Sequence, residues 1–179
     1  LLTRRTRYHH GDLRLALLDA AEAVLEERGA AGFTLRECAR RAGVSHAAPA
    51  HHFGDVSGLL AQLAARGFDE LAAALRAGRE ALPAEDRHAQ MCATARAYVG
   101  FARARPNLFR TMFRHDLLDL CDPGLLEAVK RTYAVLTDVI LLHRDPMLRA
   151  DPEHLEASLA LPRLVEDILI GWCHVHGLA

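Results

Sequence analysis

Apolar residues recur at intervals of three and four along almost the whole chain, and no stretch alternates apolar and polar positions long enough to predict a strand. Over 12–28, Leu13, Leu17, Ala20, Ala21, Val24 and Leu25 fall on one helical face, and Gly29 ends the segment. Gly32 and Phe33 form a short link. Thr34 then offers an N-cap hydroxyl with Glu37 as its capping-box partner, predicting a helix that ends near Ala42 and Gly43. Ser45 is placed to cap a very short helix running to about His52. Asp55 is placed to cap a long one, in which Leu59, Leu60, Leu63, Leu71 and Leu75 repeat until Leu82 and Pro83.

The pattern continues to the end. Residues 85–104 carry Met91, Ala95, Tyr98, Val99 and Ala102 on one face, and Pro106 opens a short helix with Leu108, Phe109, Met112 and Phe113. Asp122 and Pro123 start the next, lined by Leu125, Val129, Leu136, Val139 and Ile140. Asp151, Pro152 and Glu153 start the last, which Pro162 should bend between Leu159 and Leu164. There is no internal repeat or low-complexity tract. The pattern predicts an all-α chain with a three-helix head at 1–54 and a helical body at 55–179.

A chain of 179 residues can bury a sizeable core, and with 51% hydrophobic and 25% charged residues it has the composition of a folded protein. The formal net charge of -1 conceals an asymmetry. Residues 1–53 hold 8 Arg+Lys against 6 Asp+Glu, or +2; subtraction from totals of 22 and 23 leaves 14 against 17, or -3, for the rest. Arg4, Arg5 and Arg7 precede any acid and form a short basic arm. Cys38, Cys92, Cys121 and Cys173 form no CxxC pair, which argues against a zinc ribbon or redox motif and suits a reducing compartment. With no run of eighteen apolar residues and no secretory signal, the expectation is a cytoplasmic protein without a membrane partner. The chain begins without methionine and ends just after an apolar run, so a longer product is expected.

The stretch "ECARRAGVSHAAPAHHFGD" at 37–55 reads as a helix-turn-helix. Ala39 lets two helices cross closely, Gly43 tolerates the positive φ of a tight turn, and Val44 plugs the space between them. The second helix then carries Ser45, His46, Ala47, Pro49, His51 and His52 outward, where small or polar groups can approach base edges and phosphates. By geometry alone the same stretch also fits an ordinary corner between core helices. Sequence order adds more: "LLDAAEAVLEERGAAGFTLRECARRAGVS" at 17–45, "HHFGD" at 51–55 and "GLL" at 58–60 closely resemble the TetR family of transcriptional regulators. "RYHHGDL" at 7–13, with Trp172, His176 and Gly177, resembles the subgroup with a C-terminal Trp-x-x-x-His-Gly (WHG) signature.

The resemblance implies a homodimer, paired through its last two helices, whose third helices enter the major groove of a double-stranded operator at half-sites about one helical turn, or a multiple, apart. Those last two helices correspond here to about 151–176 and one beyond. It also implies that Thr34, Ser45, His46, Ala47 and Pro49 face DNA and that His51 and His52 face its backbone. Arg4, Arg5 and Arg7 then reach phosphates or a minor groove. Two positions depart from the family pattern. Ala50 stands where an aromatic, mostly tyrosine, is usual, and Val56 where a lysine is usual, and those side chains typically touch phosphates.

Other constellations carry less. His9-His10 and His51-His52 are adjacent pairs that point about 100° apart on a helix and share one ion poorly. Cys173, His174 and His176 have ligand spacing but no carboxylate nearby, and a packed helix end accounts for them; no metal or cofactor is expected. His143-Arg144-Asp145 imitates a kinase triplet, but there is no glycine-rich loop and Ala150 stands where an Asn is needed. With G-x-S-x-G, HExxH and P-loop motifs also missing, no enzyme is expected. Phe101, Phe109, Met112, Phe113, Tyr133 and Trp172 need no explanation beyond a place in the core, though from separate helices they could also line one cavity. The resemblance implies a pocket for a small, mostly apolar effector, with Tyr98, His143 or His176 as its polar handle. The expected function is a ligand-responsive repressor; the alternative is a helical metabolite- or partner-binding protein with weakened DNA binding.

Overall fold

A computed structural model describes the backbone of residues 10–144 and 176–177, and the side chains of 13–139 and 176–177. Among the described residues seven α-helices follow one another: α1 His10–Arg28, α2 Leu35–Ala42, α3 Ala48–Phe53, α4 Val56–Glu80, α5 Arg87–Ala104, α6 Pro106–Met112 and α7 Pro123–Arg144. One 3-10 turn, Ala30–Gly32, joins α1 to the start of α2, and no strand occurs among the described residues. The all-α expectation holds. The helix expected from Asp151, with its bend at Pro162, lies outside the described residues.

The chain divides into two compact units. One comprises the described residues up to Ala64 together with Asn107–Leu125; the other comprises Ala65–Pro106 and those from Leu126 on. In the first, the face predicted for α1 is the buried one: Leu17, Ala21, Val24 and Leu25 are fully enclosed. Helix α2 packs on α1 and α3 on α2. Leu59, Leu60 and Leu63 of α4 and Leu108 and Met112 of α6 complete the interior, each such burial contributing about 1.5–3 kcal/mol. The end of α1 and the start of α6 satisfy each other. Asn107 Nδ2 donates to the Glu26 carbonyl at 2.9 Å, and the Glu26 carboxylate accepts the Leu108 N–H at 2.9 Å.

In the second unit, α4 contributes Leu71 and Leu75, both almost fully buried. On α5 the inward stripe is Gln90, Thr94, Tyr98 and Ala102, so Tyr98 and Ala102 are placed as expected while Met91, Ala95 and Val99 are only half-buried. Polar residues take the expected apolar places because the backbone nearby needs them. Gln90 Nε2 donates to the Pro83 carbonyl at 2.9 Å, beyond the end of α4, and Thr94 Oγ1 donates to the Gln90 carbonyl at 2.9 Å. Helix α7 is rotated in the same way. Its buried positions are Leu125, Ala128, Thr132, Val135 and Val139, whereas Val129 and Leu136 are half-buried. The Thr132 hydroxyl sits 2.8 Å from the Phe68 carbonyl and 3.0 Å from that of Ala128, drawing a polar residue into the interior.

Candidate nucleic-acid interface

Thr34 opens α2 as predicted, its Oγ1 accepting the Glu37 N–H at 3.2 Å. The other half of the capping box is replaced. The Glu37 carboxylate takes two bonds from Arg40, at 2.9 and 2.7 Å, and an ion pair from Arg28 at 3.0 Å. These cations, the Arg40 hydrogen bonds foremost, hold the Glu37 carboxyl down at about 2. Arg41 pairs with Glu27 on α1 through two bonds of 2.7 and 2.6 Å, so Arg41 from α2 and Arg28 from α1 each join the two helices.

The turn after α2 is a Schellman motif. Gly43 lies at φ 69° and ψ 31°, its N–H bonds to the Arg40 carbonyl at 3.2 Å, and the Val44 N–H reaches the Ala39 carbonyl at 3.0 Å. Ala39 is fully buried and Val44 half-buried, as the close crossing of two helices requires. The recognition segment then differs from expectation at its start. Helix α3 begins at Ala48 with Ala47 at the N-cap and no side-chain cap, and it is the Ser45 carbonyl that accepts the Ala48 N–H, at 3.0 Å. Ser45 is therefore not the cap. Ser45, His46, Ala47, Ala50 and His51 are exposed, and His52 is half-buried with its ring 5.2 Å from that of His51.

Pro49 is a correction. It is buried together with Phe53, four positions on, and the two form the inner edge of α3 rather than a DNA-facing one. Starting the helix at Ala48 turns Pro49 inward and leaves Ala50 and His51 outward. The exit from α3 is equally constrained. The Asp55 carboxylate accepts the Gly58 N–H at 2.9 Å and the Ser57 hydroxyl at 2.7 Å, capping α4 and lowering the Asp55 pKa. A Cβ on Gly58 would come within 2.1 Å of the Phe53 carbonyl oxygen, so no larger residue fits without moving the end of α3.

Of the remaining site residues, Thr34 is exposed beside α2, and Arg4, Arg5 and Arg7 lie outside the described residues. Sequence reasoning passed over Arg36. It is exposed on α2 and, among the described residues, carries no acidic partner, whereas Arg28, Arg40 and Arg41 are all engaged. Exposure and absence of an acid three or four positions away on α2 are the signals that mark it. No described group of His, Cys, Asp and Glu could hold a metal ion, and no described helix is long and apolar enough to cross a membrane.

Two family models match the chain: residues 17–63 fit "Bacterial regulatory proteins, tetR family" and residues 91–179 fit "Tetracyclin repressor-like, C-terminal domain". A Rhodococcus sp. RHA1 structure, described as a protein with unknown function, is 33% identical with a TM-score of 0.74, over 97% of this chain and 84% of that one. The chain belongs to the TetR family. It is a transcriptional regulator with the TetR DNA-binding domain at its N-terminal end. TetR regulators share the fold at lower identity. PfmR from Thermus thermophilus is 20% identical, TM-score 0.53, over 99% of this chain and 96% of that one. A TetR-family protein from Vibrio parahaemolyticus is 19% identical, TM-score 0.55, over 94% and 88%. Among curated proteins none matches.

The residues expected to line a TetR effector pocket fall in both compact units. In the first, Phe109 and Met112 are buried, and Phe113 packs edge-on to Phe109 with centroids 5.1 Å apart. In the second, Tyr98 is buried, Phe101 half-buried, and the Tyr98 hydroxyl is 2.9 Å from His176 Nδ1. Tyr133 is on α7, in the second unit. It is 39% exposed, next to the buried Thr132. The side chains of His143 and Trp172 lie outside the described residues.

Proposed function

We propose that the protein is a ligand-responsive repressor acting as a homodimer in the cytoplasm, with its DNA-binding part at 1–54 and its effector-binding and dimerisation part at 55–179. One observation carries this reading: Ser45, His46 and Ala47, in the turn that leads into α3, and Ala50 and His51, on α3, form an exposed face of small and polar groups. A helix used only for packing has no reason to leave that face clear. With Thr34 and the arm residues Arg4, Arg5 and Arg7, it is suited to a major groove and its flanking phosphates. The effector is a small, mostly apolar molecule, with Tyr98 and His176 as the polar pair that orients it. In this reading the chain is of the WHG subgroup, which Trp172, His176 and Gly177 support. Effector binding favours a body conformation in which α4 tilts and the two heads lose operator spacing. A coupling of about 1–3 kcal/mol would change operator affinity about 5- to 150-fold.

A second reading, a helical metabolite- or partner-binding protein with weak DNA affinity, is favoured by Ala50 and Val56. Both are exposed, Val56 at 38%, and neither can bond a phosphate. Each lost bond costs about 1 kcal/mol if neutral and about 1.5–3 if charge-assisted. A salt titration against sheared genomic DNA of the source organism separates the two. Retention of particular fragments, with log K falling about 0.9 per phosphate contact against log salt, supports the repressor. Uniform weak retention, unchanged by Ala50→Tyr with Val56→Lys, supports the second reading.

A further inference from the structure

One row of polar side chains in the first unit belongs neither to the hydrophobic interior nor to the outward face of α3. The Arg14 guanidinium, on α1, lies 5.1 Å from the ring centroid of Phe53, the last residue of α3. Its Nη2 donates to Gln62 Oε1, on α4, at 2.5 Å. Gln62 Nε2 in turn donates to Asp122 Oδ2 at 2.6 Å, and Asp122 Oδ1 accepts the Leu125 N–H at 2.8 Å as the cap of α7. Arg14, Gln62 and Asp122 are all half-buried. The two side-chain bonds span 48 and 60 positions, so nothing local in the chain requires them.

We propose that Gln62 is a positioning residue for DNA binding. It ties the α7 cap to Arg14 and, through Arg14 and Phe53, sets the orientation of α3. This rests on α3 being the DNA-reading helix. The chemistry selects glutamine: an amide can accept from a guanidinium and donate to a carboxylate at once. Glutamate there would repel Asp122, and lysine would repel Arg14. Both bonds engage a charged partner, which makes them short and directional. Without Gln62, Arg14 is released from its anchor and the Phe53 end of α3 loses a polar restraint.

Two readouts test it, one of them without DNA. In the free protein, Gln62→Leu is expected to speed amide exchange in α3 while leaving α2 protected, and its melting temperature is expected to stay close to wild type. With genomic fragments retained by the wild type, Gln62→Leu and Gln62→Glu should each lose about tenfold in affinity relative to bulk duplex, whose non-specific binding should not change. The paired change Gln62→Glu with Asp122→Asn reverses donor and acceptor of the second bond, keeps the first, and should restore both readouts. Wild-type exchange rates in α3 of Gln62→Leu, or a paired variant as impaired as Gln62→Glu alone, would overturn the proposal. Altered α3 exchange in a chain that retains no fragment would uphold the positioning role and remove the DNA-binding reading instead.

Discussion

The Tyr98 hydroxyl lies 2.9 Å from Nδ1 of His176, joining two residues 78 positions apart. Tyr98 is 1% exposed, so its hydroxyl calls for a partner within the protein, and a neutral imidazole offers a nitrogen acceptor. Burial lowers the His176 pKa below its usual 6.5, favouring that neutral form. The bond therefore fastens the last described residues to α5.

A pH dependence follows. Because the folded-state pKa of His176 is depressed, its contribution to stability is present above the unfolded value of 6.5 and is lost as pH falls through the folded one. Wild type should melt progressively earlier than a His176→Gln variant, relative to their difference at pH 8, as pH falls below 6.5. A constant difference between the two across that range would exclude this role.

Glu37 titrates elsewhere. Its carboxyl is held at about 2 against an ordinary 4.5, so the Arg40 and Arg28 pairings are fully present above pH 4.5 and are lost as pH falls toward 2. Glu37→Gln should lower the melting temperature at pH 7, and the gap to wild type should close over that acidic interval in a thermal melt series.

Gly43 and Gly58 should respond differently to alanine. At Gly43 the strain is that of a left-handed residue, about 1–2 kcal/mol, with open space around the new methyl group. Gly58→Ala must displace the Phe53 carbonyl oxygen, so chemical denaturation should show the larger loss there, accompanied by lost fragment retention.

Arg36→Ala should weaken retention of genomic fragments and reduce the slope of log K against log salt by about 0.9 for each phosphate contact removed. Its melting temperature should match wild type, since Arg36 is exposed and pairs with no described acid. An unchanged salt slope would place Arg36 away from the DNA.

Local rules made α2 and its turn readable. Thr34, Gly43 and Asp55 each act on backbone within a few residues, and each does what its type and position predict. Ser45 and Pro49 depart from expectation for one shared reason: the third helix starts at Ala48, after a turn closed by a backbone carbonyl that no side-chain pattern announces. Thr132 could not be recognised as an interior residue, because the Phe68 carbonyl it serves becomes its neighbour only on folding, whereas Gln90 and Thr94 serve carbonyls seven and four positions back that apolar spacing does not reveal.

By itself, then, the amino-acid order determined the number of helices among the described residues, most of their caps and the exposed outer side of the short third helix, since these depend on spacing of three to four residues and on backbone within one turn. The tertiary structure alone decided which flank of α5 and α7 turns inward. It also decided that Glu26 and Asn107 hold α1 to α6, and that Arg14, Gln62 and Asp122 meet. Outside α5, whose Gln90 and Thr94 pair within seven positions, those outcomes turn on pairing polar groups across tens of residues, where burial makes an unmatched donor or acceptor too costly to keep.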